Sequence, residues 1–432
     1  MFYQLVNTIR VKTITAMNAQ KQPSKFIKPS VPTPSNLKHY KIGFIDELAP
    51  FMDVAIVLFF TKNTNHNSKF GDQLEKSLEK TLTRLYPLAG RFVEESQTID
   101  CNDEGVEFIQ AKVNIKLEDI LGLEVNARSI KELLPLKTIP HDNVLTIQLT
   151  TFECGGVALG VSATHKVVDT STLCTFVNEW AAMNREENDI KFTTPGFISS
   201  SLFPARGVRP ILIPFITDED LLSKYTWKKL SFSESDISNM KAKAITNARI
   251  SKVQLVFATI WKALIGVDRV THGYLRESML SQAINLREKM ASPIPSYSCG
   301  NLWGLCSTTV KTNEELENLL NYSVKKTIDE YSKVHHDSEQ GQMIVLNSIL
   351  NVTNTPLSTN MIISTSWCKF PFYEADFGFG KPIWAVPWTT PMKNAMLLID
   401  NANGNGVDAY IFLEVKDVPY FKEGLDVNVF NA

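Results

Sequence analysis

The amino-acid sequence predicts an α/β protein in which mixed β-sheets pack with helices. Strand-like apolar runs and helix-like segments follow one another along 432 residues, without the regular strand–helix–strand alternation of a doubly wound sheet. The composition, 44% hydrophobic and 21% charged, is that of a folded globular protein and not of a disordered chain. At about 100–200 residues per domain, this length is enough for two or three domains.

The elements of the first half follow from hydrophobic periodicity. The apolar run 53–60 predicts a strand, and leucines at helical spacing predict a helix over 71–86. The segment Tyr86-Pro87-Leu88-Ala89-Gly90-Arg91 ends this helix, because a proline disfavours helical geometry in the residue before it. Further elements are predicted as strands at 106–113, 144–152 and 157–163 and as a helix at 171–184. The last two strands form a hairpin that leads directly to His165.

A stretch rich in Pro, Gly and Ser separates this half from the next. We expect residues 191–222 to form a crossover linker between two domains at 23–190 and 223–432. Beyond the linker, helices are predicted at 233–244, 254–267 and 313–337, and strands at 278–285, 396–400 and 408–415. Residues 1–22 lack acidic side chains and predict a disordered extension, with an organelle transit peptide as the alternative.

Charge, hydropathy and cysteine content exclude several classes of protein. With 44 Lys and Arg against 46 Asp and Glu, the chain lacks the basic excess of a nucleic-acid binder. No apolar run reaches the ~18–20 residues that span a bilayer. The six cysteines form no CxxC pair, which favours reduced thiols in a cytoplasmic protein. The histidines show no metal-ligand spacing, so no metal site is expected.

The clearest chemical feature is His165-Lys166-Val167-Val168-Asp169, which directly follows a predicted strand. A histidine at a strand end can project into a cleft, and imidazole, with a pKa near ~6.5, is an effective general base at neutral pH. Asp169 could orient the imidazole or cap the following helix. An isolated HxxxD pattern arises by chance and does not establish a function.

A second feature is the run Asp376-Phe377-Gly378-Phe379-Gly380, followed by Lys381 and Pro382. Two glycines among aromatic residues predict a structural turn held by aromatic packing. A protein kinase is excluded, because no VAIK-like strand and no HRD loop precede the DFG triplet. The run also lacks the GK[ST] sequence of a phosphate-binding loop.

Together, the two motifs resemble those of the plant BAHD acyl-CoA-dependent acyltransferases, which carry HxxxD in mid-chain and DFGWG towards the C-terminus. Other matches occur in family order over about residues 25–425: Pro32-Thr33-Pro34, Tyr86-Pro87-Leu88-Ala89-Gly90-Arg91, Asn285-Leu286-Arg287, Gly300-Asn301 and Thr365-Ser366-Trp367. The chain looks most similar to the branch that acetylates alkaloid alcohols. It departs from the pattern at Thr170, where glycine is frequent, and at Phe379, which replaces a tryptophan and its indole N–H donor.

The resemblance implies two similar chloramphenicol-acetyltransferase-like domains with a channel between them, and part of 361–395 packed with the first domain. It implies acetyl-CoA as co-substrate, no permanently bound cofactor, and a small-molecule alcohol as acceptor. A monomer is also implied. The acceptor is expected to be a plant specialised metabolite such as an alkaloid.

The resemblance also implies roles for individual residues. His165 would be the general base in a direct transfer within a ternary complex, and Asp169 would form a structural ion pair with Arg287. Thr365 and Trp367 would donate to the oxyanion or form pocket walls, although Trp367 could equally be core packing. Ser251 and Lys252, at the start of a predicted helix, would bind coenzyme A phosphate, unless Lys252 is simply solvated. The turn at 376–380 would lie nearer the coenzyme A side than the chemistry.

Three alternatives remain open. The donor could be malonyl-CoA or a longer acyl-CoA, with a terpenoid or phenolic alcohol as acceptor. A serine-type hydrolase would need a GxSxG nucleophile segment, which is absent from the sequence. A non-catalytic binding protein could share the same fold, because a fold does not fix a function.

Overall fold

The computed structural model describes residues 17–62, 70–121, 127–137, 141–186, 196–213, 215–216, 219–243, 250–311 and 316–429. Of the predicted disordered extension, residues 1–16 lie outside the described residues. Residues 17–22 are described and differ from that prediction, because Gln20–Lys21 pairs with a strand and the Met17 side chain is buried.

The strands and helices are given in chain order. The strands are β1 (Gln20–Lys21), β2 (Lys25–Ile27), β3 (His39–Lys41), β4 (Asp53–Phe60), β5 (Arg91–Val93), β6 (Thr98–Asp100), β7 (Val106–Lys112), β8 (Leu145–Thr151), β9 (Val157–Thr164), β10 (Tyr225–Phe232), β11 (Ser278–Asn285), β12 (Trp303–Val310), β13 (Asn360–Ser366), β14 (Trp384–Thr389), β15 (Met396–Asp400) and β16 (Val407–Glu414). The helices are α1 (Phe44–Leu48), α2 (Phe70–Arg84), α3 (Leu117–Leu121), α4 (Ala127–Glu132), α5 (Thr170–Asn184), α6 (Ser199–Leu202), α7 (Glu219–Leu222), α8 (Glu234–Lys243), α9 (Lys252–His272), α10 (Leu316–Ser332), α11 (Glu339–Thr353) and α12 (Val418–Val429).

Two mixed sheets dominate the structure, which confirms the predicted α/β class. The first has the order β1-β7-β8-β9-β4-β14, with β2 also paired to β7, and the second has the order β10-β16-β15-β13-β11-β12. A small third sheet contains β3, β6 and β5. Every residue of β4 and β9 is buried, so these strands form the centre of the first sheet.

The first sheet is completed by a strand from the far end of the chain. β14 pairs antiparallel with β4 and occupies the edge of that sheet. Its Trp388 stacks on Trp227 of β10 in the second sheet, with ring centroids 5.0 Å apart and planes 5° apart. The two sheets therefore meet at an aromatic contact beside the cavity described below.

Helix packing follows the periodicity of the sequence. Leu74, Leu78 and Leu82 of α2 are buried, and α2 packs against α5. The predicted helix over 313–337 is shorter in the structure, where α10 ends at Ser332; residues 313–315 lie outside the described residues. The crossover 191–222, read as a loop, contains the short helices α6 and α7 among its described residues. Across the described chain, none of the helices combines the length and apolar character that crossing a bilayer requires.

Candidate active site

His165 lies in the tight turn between β9 and α5, and its backbone is held from both sheets. Its N–H donates to the carbonyl oxygen of Met52, just before β4, at 2.8 Å. Its carbonyl oxygen accepts from the Asn301 side-chain amide, just before β12, at 2.6 Å. Because one partner precedes a strand of the first sheet and the other a strand of the second, the position of the histidine depends on both halves of the chain.

The surroundings of the His165 imidazole favour its neutral form. Its Nδ1 lies 3.0 Å from the carbonyl oxygen of Val168, which can only accept a hydrogen bond. The proton therefore resides on Nδ1, and Nε2 keeps its lone pair. Burial lowers the pKa of His165 below its usual value of 6.5, although the charge of Asp169 opposes the shift.

The carboxylate of Asp169 bonds to Thr172 and Arg287, which gives it a structural role. Its Oδ1 accepts from the backbone N–H and the hydroxyl of Thr172, both at 2.8 Å, so Asp169 caps α5. Arg287 Nη1 donates to its Oδ2 at 2.7 Å, and the pair is buried. Burial alone would raise the pKa of Asp169, but the Arg287 guanidinium and the Thr172 donors hold it below its usual value.

The guanidinium of Arg287 also bonds to backbone carbonyl groups. Its Nε donates to the carbonyl oxygen of Ser298 at 2.8 Å, and Nη2 donates to that of Gly300 at 3.0 Å. The ion pair therefore ties the start of α5, in the first half of the chain, to the loop that precedes β12 in the second half.

A buried lysine that the sequence patterns did not single out supports the same turn. Lys166 is fully buried, and its Nζ donates to the carbonyl oxygens of Glu47 and Ala49, both at 3.1 Å. Burial lowers the pKa of Lys166 to about 8, opposed by the charges of Asp46 and Glu47. These bonds fix the end of α1 and the residue after it, and this segment leads to the Met52 carbonyl that accepts from His165.

His165 opens into a cavity between the two sheets, with about 1170 Å³ of empty space including its mouth. Its walls include Val54 and Trp388 from the first sheet and Ala283 and Met396 from the second. The ionisable side chains among its described lining residues are those of His165 and Asp169. Since Asp169 is already paired with Arg287, His165 is the remaining titratable group among these lining residues.

Thr365 and Trp367 both line this cavity, where the sequence places oxyanion or wall candidates. Trp367 is also part of the core, since its ring stacks on Phe372 with centroids 5.7 Å apart. Trp303 lines the cavity as well, and its ring centroid lies 5.9 Å from that of His165. Its Nε1 donates to Asn301 Oδ1 at 3.2 Å, so one amide contacts both residues.

The run at 376–380 forms a turn that does not line the cavity. Asp376 Oδ1 accepts from the backbone N–H groups of Gly378 at 2.7 Å and Gly380 at 3.0 Å. Both glycines have positive φ, 91° and 104°, a region that side chains disfavour. The Phe379 ring packs edge-on against Phe60, with centroids 4.8 Å apart.

This turn is attached to the far end of α5 from His165. Asn184 donates to the carbonyl oxygen of Phe377 at 2.6 Å, and Arg185 donates to that of Asp376. A helix of 15 residues is roughly 22 Å long, so the two motifs occupy opposite ends of one rod.

Ser251 and Lys252 lie outside the cavity walls, at the start of α9. The Ser251 hydroxyl accepts from the Gln254 N–H at 3.2 Å and caps the helix. Lys252 Nζ lies 2.7 Å from Asp400 Oδ1 and donates to the Gly404 carbonyl oxygen at 3.0 Å. Both side chains thus have partners within the protein. In the part of the chain that the structure describes, there is no group of three His, Cys, Asp or Glu residues that could hold a metal ion.

Comparison with known proteins gives consistent matches along almost the whole chain. A family model described as the Transferase family matches residues 17–427. Vinorine synthase of Rauvolfia serpentina is 34% identical over 418 residues, which cover 92% of this chain and 94% of that protein. A limonoid 21-O-acetyltransferase of Melia azedarach is 32% identical over 428 residues, covering 96% and 99%.

Two further matches extend the range of chemistry and give the fold. A pelargonidin 3-O-(6-caffeoylglucoside) 5-O-(6-O-malonylglucoside) 4'''-malonyltransferase of Salvia splendens is 32% identical over 430 residues, covering 96% of this chain and 100% of that protein. The crystal structure of vinorine synthase superposes with a TM-score of 0.83 at 31% identity, covering 95% of this chain and 98% of that one.

Proposed function

The chain belongs to this transferase family, the BAHD acyl-CoA-dependent acyltransferases, and from that premise we propose that it acetylates a hydroxyl of a plant specialised metabolite. Acetyl-CoA is the proposed donor, an alkaloid alcohol the first candidate acceptor, and His165 the general base. We also expect a monomer, as the sequence resemblance implies, and a cytoplasmic location, as the cysteine pattern favours. The observation that carries the proposal is an imidazole whose Nδ1 is bonded to a backbone carbonyl oxygen, in a cavity formed by both sheets.

The proposed reaction is a direct transfer in a ternary complex. His165 Nε2 accepts the proton of the alcohol hydroxyl while its oxygen bonds to the thioester carbonyl carbon. The resulting oxyanion is stabilised by a nearby donor, for which the Thr365 hydroxyl is the candidate. The carbon–sulfur bond then breaks, and the imidazolium returns its proton to the coenzyme A thiolate. An ester and free coenzyme A result.

The charge of the cavity supports an uncharged acyl group. Its described lining residues include no lysine or arginine. A malonyl carboxylate would therefore lose its hydration there without gaining a cation, which is costly. The malonyltransferase among the relatives shows that sequence similarity alone leaves the donor open, so the choice of acetyl rests on this cavity.

The walls also support a bulky apolar acceptor. They contain three tryptophans, at 303, 367 and 388, and methionines at 52, 392 and 396. Vinorine synthase is among the relatives and favours an alkaloid, whose amine could lie against an indole face. The second candidate is a terpenoid alcohol, favoured because Asp169, the lining carboxylate, is already paired with Arg287 and offers an ammonium no free partner.

The test follows release of free coenzyme A from acetyl-CoA with a panel of alkaloid and terpenoid alcohols. We expect acceptor-dependent release to fall by about 10²–10⁴-fold in His165→Ala. The matched control is His39→Ala, which removes a histidine whose side chain is 78% exposed and should leave the rate unchanged.

Other outcomes contradict the proposal. Unchanged turnover in His165→Ala would exclude this residue as the base. Cleavage of esters without coenzyme A would indicate a hydrolase. A wild-type protein that binds the alcohols but releases no coenzyme A would indicate a binding protein.

A further inference from the structure

We propose that the crossover between the two halves forms a wall of the acceptor compartment, and that Ile211 and Ile213 set the size of the alcohol accepted. We call residues 206–213 the crossover strap. The inference rests on the proposed function, because it concerns the acceptor of that reaction.

The start of the crossover strap is fixed by a buried carboxylate. Glu47, only 4% exposed, accepts hydrogen bonds from three successive backbone N–H groups. Arg206 donates at 3.0 Å, Gly207 at 3.2 Å and Val208 at 3.2 Å. Bonds to an ionised acceptor are the stronger kind, so this end of the strap is held firmly against α1.

Two further backbone bonds fix the continuation of the strap. The Ile211 N–H donates to the carbonyl oxygen of Leu48 at 2.9 Å, and the Ile216 N–H donates to that of Pro391 at 2.8 Å. The strap is therefore fastened to α1, and Ile216, beyond its end, is bonded to the loop before β15. The next residue of that loop, Met392, itself lines the cavity.

Side chains alternate along the strap as they do along an extended chain. Ile211 and Ile213 line the cavity that contains His165, whereas Leu212 between them is 94% exposed. Both isoleucines present only apolar atoms, which suit the hydrocarbon body of an alcohol better than the amide-rich arm of coenzyme A.

The position of Ile213 also indicates which end of the cavity would take the acceptor. Together with Ile363 and Met392, it lines a second hollow beside the start of β13 and the approach to β15. The candidate coenzyme A residue Lys252 pairs with Asp400 at the opposite end of β15. Because β13 and β15 run parallel, the strap lies at the end of the cavity away from Lys252, where the acceptor would enter.

The test compares Ile211→Ala and Ile213→Ala with Leu212→Ala, using cyclohexanol and the bulkier bicyclic borneol as acceptors. Enlarging the compartment should raise the borneol-to-cyclohexanol ratio of kcat/KM by at least about tenfold. The KM for acetyl-CoA should stay unchanged. Leu212→Ala, which alters an outward side chain of the same strap, should behave like the wild type.

A binding measurement keeps the inference testable without turnover. Tryptophan fluorescence, from the indoles that line the cavity, gives a Kd for each alcohol. The isoleucine variants should shift the ratio of the two Kd values, and Leu212→Ala should not. His165→Ala should lose turnover and keep the wild-type Kd ratio, so failure of the proposed base and failure of the strap are distinguishable.

The inference is overturned if the isoleucine variants match Leu212→Ala in both measurements. It is also overturned if they change the KM for acetyl-CoA instead, or if the wild type binds neither alcohol.

Discussion

An aspartate from each sequence motif lies near one end of helix α5, Asp169 at the start and Asp376 beside the end. The two surroundings differ, because only the first contains a residue that faces the cavity. At the start of α5, Asp169 caps the helix and pairs with Arg287, and the neighbouring His165 faces a cavity. At its end, Asp376 binds the N–H groups of its own turn, and the aromatic rings around it are packed. The comparison teaches that similar capping geometry can serve a reactive group or only a turn.

The largest expected effect comes from removing the charge of Asp169. Asp169→Asn keeps the shape of the side chain but leaves the Arg287 cation buried without a counter-ion. The free energy of unfolding should fall by about 3–5 kcal/mol, and kcat should fall too because the His165 turn loses its support. Urea unfolding and coenzyme A release on the same preparations measure both quantities.

The matched control for this variant lies on the same helix. Glu179 pairs with Arg84 at 3.2 Å, with side chains 11% and 25% exposed, and burial raises the pKa of Glu179. Because burial disfavours the charged form of Glu179, Glu179→Gln should cost less stability than Asp169→Asn and leave kcat unchanged. If Asp169→Asn were no more harmful than Glu179→Gln, the start of α5 would not depend on its buried ion pair.

The next prediction concerns Phe379, in the turn at the other end of α5. Phe379→Ala removes a ring that is 7% exposed and packs against Phe60 and Phe70. Deleting a buried phenylalanine ring costs about 3–5 kcal/mol. We expect this loss of stability with kcat unchanged below the unfolding transition, measured by thermal melts and by turnover. A fall in kcat without a fall in stability would give this turn a direct part in the chemistry.

The smallest effect is expected from Asp376→Asn. The amide oxygen can still accept from the Gly378 and Gly380 N–H groups, so the turn should persist. We predict a loss below about 1 kcal/mol in urea unfolding, since a neutral acceptor replaces a charged one. Asp376→Ala removes the acceptor altogether and should cost more. Equal costs would show that these two bonds do not hold the turn.

Elements with a strong local pattern could be predicted from the sequence. The leucine repeat of α2 and the hairpin of β8 and β9 are local patterns, so the hairpin that leads to His165 was predictable. β14 was not predicted, because it contains Pro387, which argues against a central strand. It lies at a sheet edge and pairs with β4, more than 300 residues earlier, and no local pattern carries that information.

The residues of the candidate site also divide into those that the sequence indicates and those that only the structure shows. The HxxxD pattern indicates His165 and Asp169, and the family resemblance associates Asp169 with Arg287. Its other supports are contacts between distant segments that a single sequence does not encode locally. Asn301 bonds to a carbonyl 136 residues away, and Glu47 holds the crossover strap from 159 residues away. Glu47 lies in no motif that distinguishes it from an ordinary buried polar residue. Asn301 belongs to the family match Gly300-Asn301, but that match did not reveal its bond to His165.

The central claim is that His165 is held neutral as the base, and the pH dependence of kcat/KM tests it most directly. A base is inactive when protonated, so the rate should fall as the pH drops through the pKa of His165. Burial lowers that pKa, so the midpoint should lie below 6.5. Asp46, whose pKa burial raises to about 7, also lies near, and Asp46→Asn removes its titration.

We predict one acidic limb with a midpoint below 6.5 in the wild type, in Asp46→Asn and in Asp376→Asn alike. A midpoint at or above 6.5, or a limb that disappears in Asp46→Asn, would contradict the account.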